Sequence, residues 1–270
     1  MIKSLPDWLT GVWYRRSIEL DDGTRDTTTQ VIWLQTHACF ADIRIPADRP
    51  PLQSRSSLIE LNEDETIALS QQQGFAGVTE LHDTTCQWHR YMDYQPFSGV
   101  RDIGLLSWDN DLLIEQGVEA NYKEEWQRLD HGNGELTALV LPADSGMLDG
   151  LSWQGCCVTA GDYFIYMRNR SIALPPAHSL TDLLSQVPFT DRSPYLDCEI
   201  SFGLCRTGQV PWEIRLSTLP WREGQSLWLP TELTIDPDKG EILHASQLRP
   251  QQIDRWLIQE WGTGKAFAID

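Results

Sequence analysis

The chain has 270 residues, 41% hydrophobic and 22% charged, an ordinary globular composition with enough apolar material for one large domain or two small ones. Lysine and arginine total 21 against 39 aspartates and glutamates, a net charge of −18 that argues against nucleic acid and anionic membranes as partners. No run reaches the roughly 18 apolar residues that span a bilayer, the first residues carry no leader pattern, and six cysteines make no disulfide framework at this length. The expected setting is the cytoplasm, with free thiols.

Twelve tryptophans favour pleated, half-buried surfaces. Short alternating runs broken by turn residues predict strands over 12–20, 30–36, 39–45 and 66–70, the last entered through the polar turn Glu63-Asp64-Glu65. Further strands follow over 75–81 and 86–94, flanking His82-Asp83-Thr84, and over 103–108 and 112–116, joined by Asp109-Asn110. The run 122–129 is another, and 136–141, 155–160, 163–170, 198–206, 213–217 and 227–235 continue the pattern. Two helices are expected: 180–186, with Ser179 as N-cap, and a C-terminal helix over about 250–261, where Ile253, Trp256, Leu257 and Trp261 have helical spacing after Pro250.

Sliding the sequence by 124 positions sets Phe40 on Phe164, Ile43 on Met167, Arg44 on Arg168, Trp88 on Trp212 and Pro96 on Pro220. The opening strand matches at another offset, Gly11–Arg15 against Glu124–Arg128. This reads as an internal repeat, with 1–122 and 123–270 as two barrel units; one large continuous meander is the alternative. Closing each unit into a barrel removes exposed sheet edges.

Gly11-x-Trp13 heading a meander resembles the Gly-x-Trp of the lipocalins and their calycin relatives. The stretches Trp88-His89-Arg90-Tyr91-Met92-Asp93-Tyr94-Gln95-Pro96 and Tyr122-Lys123-Glu124-Glu125-Trp126 are similar to two-lobed calycin-like proteins of bacteria and fungi. The resemblance implies an all-β fold of antiparallel calycin-like barrels, two in tandem. It also implies that Trp13 lies at a closed barrel end against an arginine from a late strand, Arg128 or Arg90. The secretory signal and disulfides of secreted lipocalins are missing from the pattern, so an extracellular transport role is not carried over.

Trp-x-Arg occurs three times, at Trp13/Arg15, Trp88/Arg90 and Trp126/Arg128. Residues i and i+2 of a strand share a face, so each pair sets an indole beside a guanidinium, and Trp33 on the neighbouring strand joins them. The expectation is a binding site made of Trp13, Arg15, Trp33, Trp88, Arg90, Trp126 and Arg128, lining a barrel lumen or mouth that takes a small amphipathic or carboxylate-bearing ligand without catalysis. A filled, purely structural interior is one rival. The other is an enzyme using a carboxylate or histidine at the barrel mouth, where Asp93, Glu115, Glu119, Glu124 and Glu125 are candidates that nothing in the pattern narrows to two. His82-x3-Cys86-x2-His89 has metal-like spacing but no evident fourth ligand, and His89 as a haem ligand would face away from the lumen, so no metal or cofactor is expected.

Overall fold

The computed structural model describes residues 5–143, 153–205, 210–245, 252–262 and 267. The first sheet is a meander of β1 (Gly11–Leu20), β2 (Arg25–Asp26), β3 (Gln30–Gln35), β4 (Phe40–Ile45), β5 (Gln73–His82), β6 (Thr85–Asp93), β7 (Asp102–Asp109), β8 (Leu112–Gly117) and β9 (Tyr122–Arg128). β9 pairs back onto β1 from Trp13↔Arg128 to Leu20↔Tyr122, which closes an eight-stranded antiparallel barrel with β2 as an appendage of β1. Its tight turns use residues that tolerate left-handed backbone: Asp83 (φ 54°) between β5 and β6, and Asn110 (φ 53°) between β7 and β8.

The second sheet contains β10 (Leu136–Pro142), β11 (Trp153–Ala160), β12 (Tyr163–Arg168), β13 (Glu199–Leu204), β14 (Glu213–Ser217), β15 (Leu233–Asp236), β16 (Glu241–His244) and β17 (Asp254–Trp261). Again the first and last strands pair, β10 with β17, but among the described residues nothing joins β14 to β15. Leu139, Cys157, Phe164, Ile214, Ile242 and Trp256, from strands spread across the sheet, meet in one apolar cluster, so the sheet curls around a core of its own.

The two sheets pack outer face to outer face. Val12, Ile32, Leu34, Ala41 and Ile43 of the barrel share a core with Val140, Cys156, Val158, Ile165 and Ile200 of the second sheet. β3, β4, β11 and β12 are therefore covered on both faces; β3 and β12 accordingly read as nearly unbroken apolar runs, while β4 carries Asp42 and Arg44 towards the lumen. All six cysteines are buried, Cys39 and Cys156 in this shared core.

Three expectations are corrected. The strand expected over 66–70 is the end of helix α1 (Glu63–Ser70): Asn62 accepts from the Glu65 backbone N–H, the Glu65 side chain returns to the Asn62 N–H, and this capping box with three acids in the first turn starts a helix. The expected C-terminal helix is strand β17, its first residues, 250 and 251, lying outside the described set. A bulge beside Ala138 and Leu139 shifts the register, so the core-facing apolar residues run Trp256, Ile258, Trp261, and a two-residue step followed by a three-residue step mimics helical spacing. Finally, β9 completes the barrel instead of opening the second unit, so Gly11–Arg15 and Glu124–Arg128 are antiparallel partners within one barrel. The first sheet thus runs six residues past the expected boundary at 122. The helix over 180–186 is found as α2 (Leu180–Ser185) with the Ser179 side chain capping the Asp182 N–H, and a short α3 (Ser193–Leu196) follows it.

Candidate functional site

The barrel lumen is layered. Towards the end where β1 starts and β9 finishes, the inward residues are aromatic. Trp13 and Trp33, opposite one another in register, stack with ring centroids 5.9 Å apart, and Trp33 meets Trp88 and Trp126 edge-on at 5.6 and 5.5 Å. One inward step further along the same strands the residues are charged: Arg15 after Trp13, Asp42 and Arg44 after Phe40, Glu115 after Leu113, Glu124 before Trp126.

This ionic layer is internally paired. Arg15 bonds Glu124 at 2.6 Å and Asp26 at 3.3 Å; Arg44 lies 3.0 Å from Asp42 and 3.6 Å from Glu124. Among the described residues Glu115 has no guanidinium within ion-pairing distance and accepts instead from Tyr122 Oη at 2.6 Å and Trp126 Nε1 at 3.1 Å. Burial, then the charges of Glu124 and Asp102, push its pKa well above the ordinary carboxylate value. Only glycine at 104 makes room for it, since a Cβ there would lie 2.7 Å from Glu115 Cγ.

The seven expected site residues separate into three settings. Trp13, Trp33 and Trp126 fill the lumen, with Arg15 above them in the ionic layer. The space left among Trp33, Trp88, Trp126, Asp42 and Glu115 is about 10 Å3, the lower limit for one water molecule and far too small for an organic ligand. Arg128 lies at the closed end, its guanidinium 4.4 Å over the Trp13 ring and bonded to the carbonyls of Thr10 (2.5 Å) and Trp8. Of the two late-strand arginines, Arg128 is thus the partner of Gly11-x-Trp13. Gly11, at φ 117°, is required because a Cβ would stand 2.8 Å from Arg128 Nη1. Antiparallel pairing of two Trp-x-Arg strands makes this arrangement, setting Trp13 opposite Arg128 and Arg15 opposite Trp126.

Trp88 and Arg90 belong to the third setting, an opening in the barrel wall. β6 pairs with β7 only from Thr85 to Trp88, because β7 begins at Asp102 opposite Trp88; β6 runs on to Asp93 without that neighbour, and the loop 94–101 connects the two strands. The gap is a cleft of about 580 Å3, floored by Trp88 and Phe75, walled by Arg101 and Asp102 on one side and by His178 from the loop before α2 on the other. Arg90 lies in it with its guanidinium 3.5 Å from the Phe75 centroid, bonded to Asp102 (2.6 Å) and Asp93 (3.1 Å). Burial alone would lower its pKa, but the two carboxylates outweigh this and raise it. Arg90 is therefore a locked cation. Arg101 differs: it is exposed and pairs with Glu119, a surface pair worth about 0–1 kcal/mol and easily exchanged. Asp93, its pKa raised chiefly by burial, has both oxygens occupied by Arg90 and the Gln95 N–H.

Sequence reasoning missed Arg101, Asp102 and His178, which two separate chain segments bring together. His82, Cys86 and His89 do not converge, because both histidines share Glu80 while Cys86 packs into the lumen core. Among the described residues no helix is long and apolar enough to cross a membrane.

No protein-family model matches the chain, and no curated protein matches it. Among solved structures the chain is similar to the crystal structure of an uncharacterized protein of Saccharomyces cerevisiae, at 11% identity and TM-score 0.52, over 94% of this chain and 99% of that one. A lipocalin-like protein of Bacteroides uniformis is matched at 14% identity and TM-score 0.30, over 46% of this chain and 100% of that one. The fold is all-β: a closed, eight-stranded, calycin-like barrel packed on a second eight-stranded sheet.

Proposed function

We propose that the chain is a non-enzymatic binding protein, cytoplasmic as its buried thiols suit, that takes a small amphipathic, carboxylate-bearing molecule in the wall cleft of the barrel. The observation that carries this reading is the contrast in volume: about 580 Å3 in the cleft, within the range of small-molecule sites, against about 10 Å3 in the lumen. The ligand's apolar part would lie on Trp88 and Phe75 beside the exposed Phe97. Its carboxylate would take Arg101 from Glu119, while Arg90 holds the floor rigid. The test is a thermal-shift screen of aromatic acids and fatty acids on the full chain, since a ligand of the native state raises Tm by mass action. A hit should bind Arg101→Ala about tenfold more weakly with Tm of the free protein unchanged. No shift across the screen, or undiminished affinity in Arg101→Ala, overturns the reading.

We further infer that the two sheets descend from a duplicated unit. Phe40 and Arg44 lie on the third barrel strand and their matches at the 124-residue offset, Phe164 and Arg168, on the third strand of the second sheet. Trp88 is on the fifth barrel strand, and Trp212 immediately precedes the fifth strand of the other.

A further inference from the structure

At the closed end of the barrel, far along β1 and β9 from the ionic layer, a groove of about 560 Å3 is lined by Asp7, Trp8, His37, Arg128 and Asn133. Arg128 differs there from the inward arginines of the barrel. Arg15, Arg44 and Arg90 each face two carboxylates. Arg128 bonds two backbone carbonyls and a ring face, and among the described residues it has no carboxylate within ion-pairing distance. Burial is the force acting on its pKa, and it acts downward. A half-buried guanidinium without a counter-charge is costly, and it has more N–H groups than two carbonyls occupy.

His37 lies on the same groove. Its Nδ1 is 2.7 Å from Glu260 Oε1 and its Nε2 is 3.0 Å from Asp7 Oδ1. Burial lowers its pKa, but the two carboxylate hydrogen bonds outweigh that and favour the imidazolium, in which both nitrogens donate. Glu260, on β17, also accepts the backbone N–H groups of His37 and Ala38, so it is fixed. Asp7 is not: its side chain is 97% exposed and, among the described residues, it bonds His37 alone. Two cationic groups thus line one groove in a strongly acidic chain, one with no carboxylate partner among the described residues and the other holding an exchangeable one.

We propose that this groove is a binding site for a small oxyanion, a carboxylate or a phosphate, held by the outer N–H groups of Arg128 and by His37 Nε2 in place of Asp7. The Asn133 side-chain amide at the rim adds a neutral donor. The site is separate from the wall cleft and does not depend on it.

The test is a titration of the full chain with sodium phosphate and, separately, sodium acetate, at ionic strength held constant with sodium chloride, following the Trp13 indole N–H and the Arg128 side-chain N–H by NMR. The expected result is a saturable shift of both signals, and the stronger of the two probes identifies the preferred oxyanion. Asp7→Asn, an exposed change that leaves the fold intact, should tighten binding about threefold or more by removing the competing carboxylate. His37→Gln should weaken it about tenfold. Arg101→Ala, which removes the wall-cleft cation, should leave these shifts unchanged, so failure of the cleft reading and failure of this one are distinguishable. Shifts no larger than the chloride control with both probes, or an Asp7→Asn variant that binds no tighter, overturn the proposal.

Discussion

The two sheets share a plan but differ at one seam. In each, eight strands meander and the eighth returns to the first, so that seam is closed in both. The weak place is between the fifth and sixth strands. In the barrel, β6 and β7 pair for four residues only, leaving the wall cleft. In the second sheet the corresponding strands, β14 and β15, do not pair among the described residues, and the outer edge of β14 is instead taken by 224–227 through bonds such as Ile214 N–H to the Gln225 carbonyl. A meander closes where its end strands carry matched inward residues. It opens where a long connection interrupts the ladder.

The comparison can be broken most directly at the closure. Trp126 on β9 packs in the lumen against Trp33 and bonds Glu115. Trp126→Ala should cost about 3–5 kcal/mol of stability by urea denaturation, as large aromatic truncations do. A loss under about 1 kcal/mol would show that closure does not depend on the filled lumen. Next, hydrogen exchange should separate the two seams. Alternate amides of β15, which among the described residues has a neighbour only in β16, should exchange about a hundredfold faster than those of β9, paired on both sides. Equal protection would mean that β15 has a partner strand in solution.

Glu115 sharpens the account of the ionic layer. Its folded-state pKa lies above its ordinary 4.5, so the stability it contributes is complete below about pH 4.5 and is lost as pH rises through the raised value. Glu115→Gln should abolish that decline, and above the window the variant should be the more stable protein by on the order of 1 kcal/mol or more. Parallel stability–pH curves for the two proteins would contradict a neutral buried acid.

His37 tests the contact between the sheets in the same way. Its pKa is raised above 6.5, so its contribution is full below pH 6.5 and fades as pH climbs through the raised value. His37→Gln should cost about 1 kcal/mol at pH 6 and less at pH 9, measured by denaturation at the two pH values. The smallest effect belongs to Arg101→Ala, a surface change within about 0.5 kcal/mol of wild type in stability. A larger loss would make Arg101 part of the framework of the cleft.

Much of this architecture was legible from the strand rhythm, and the misses have local causes. The capping box Asn62-x-x-Glu65 was present in the sequence as a helix signal, but the acidic run around it read as a turn. The bulge in β17 broke the two-residue period and imitated a helix. The site was less legible. Trp13 at the closed end was visible because Gly-x-Trp is a local pattern, with Arg128 and Arg90 both open as its partner, whereas His178 meets Arg101 and Asp102 only through the folded chain.

The sequence by itself determined which residues extend, which face of each strand is apolar and where the hairpins turn, because these follow from neighbours two positions apart and from the φ preferences of single turn residues. It did not determine to which sheet β9 belongs, whether the indoles fill the lumen or line it, or where the wall opens. Those depend on pairings between residues about a hundred positions apart and on the volume that side chains occupy once a sheet has curled shut, and alternation along one strand carries no information about either.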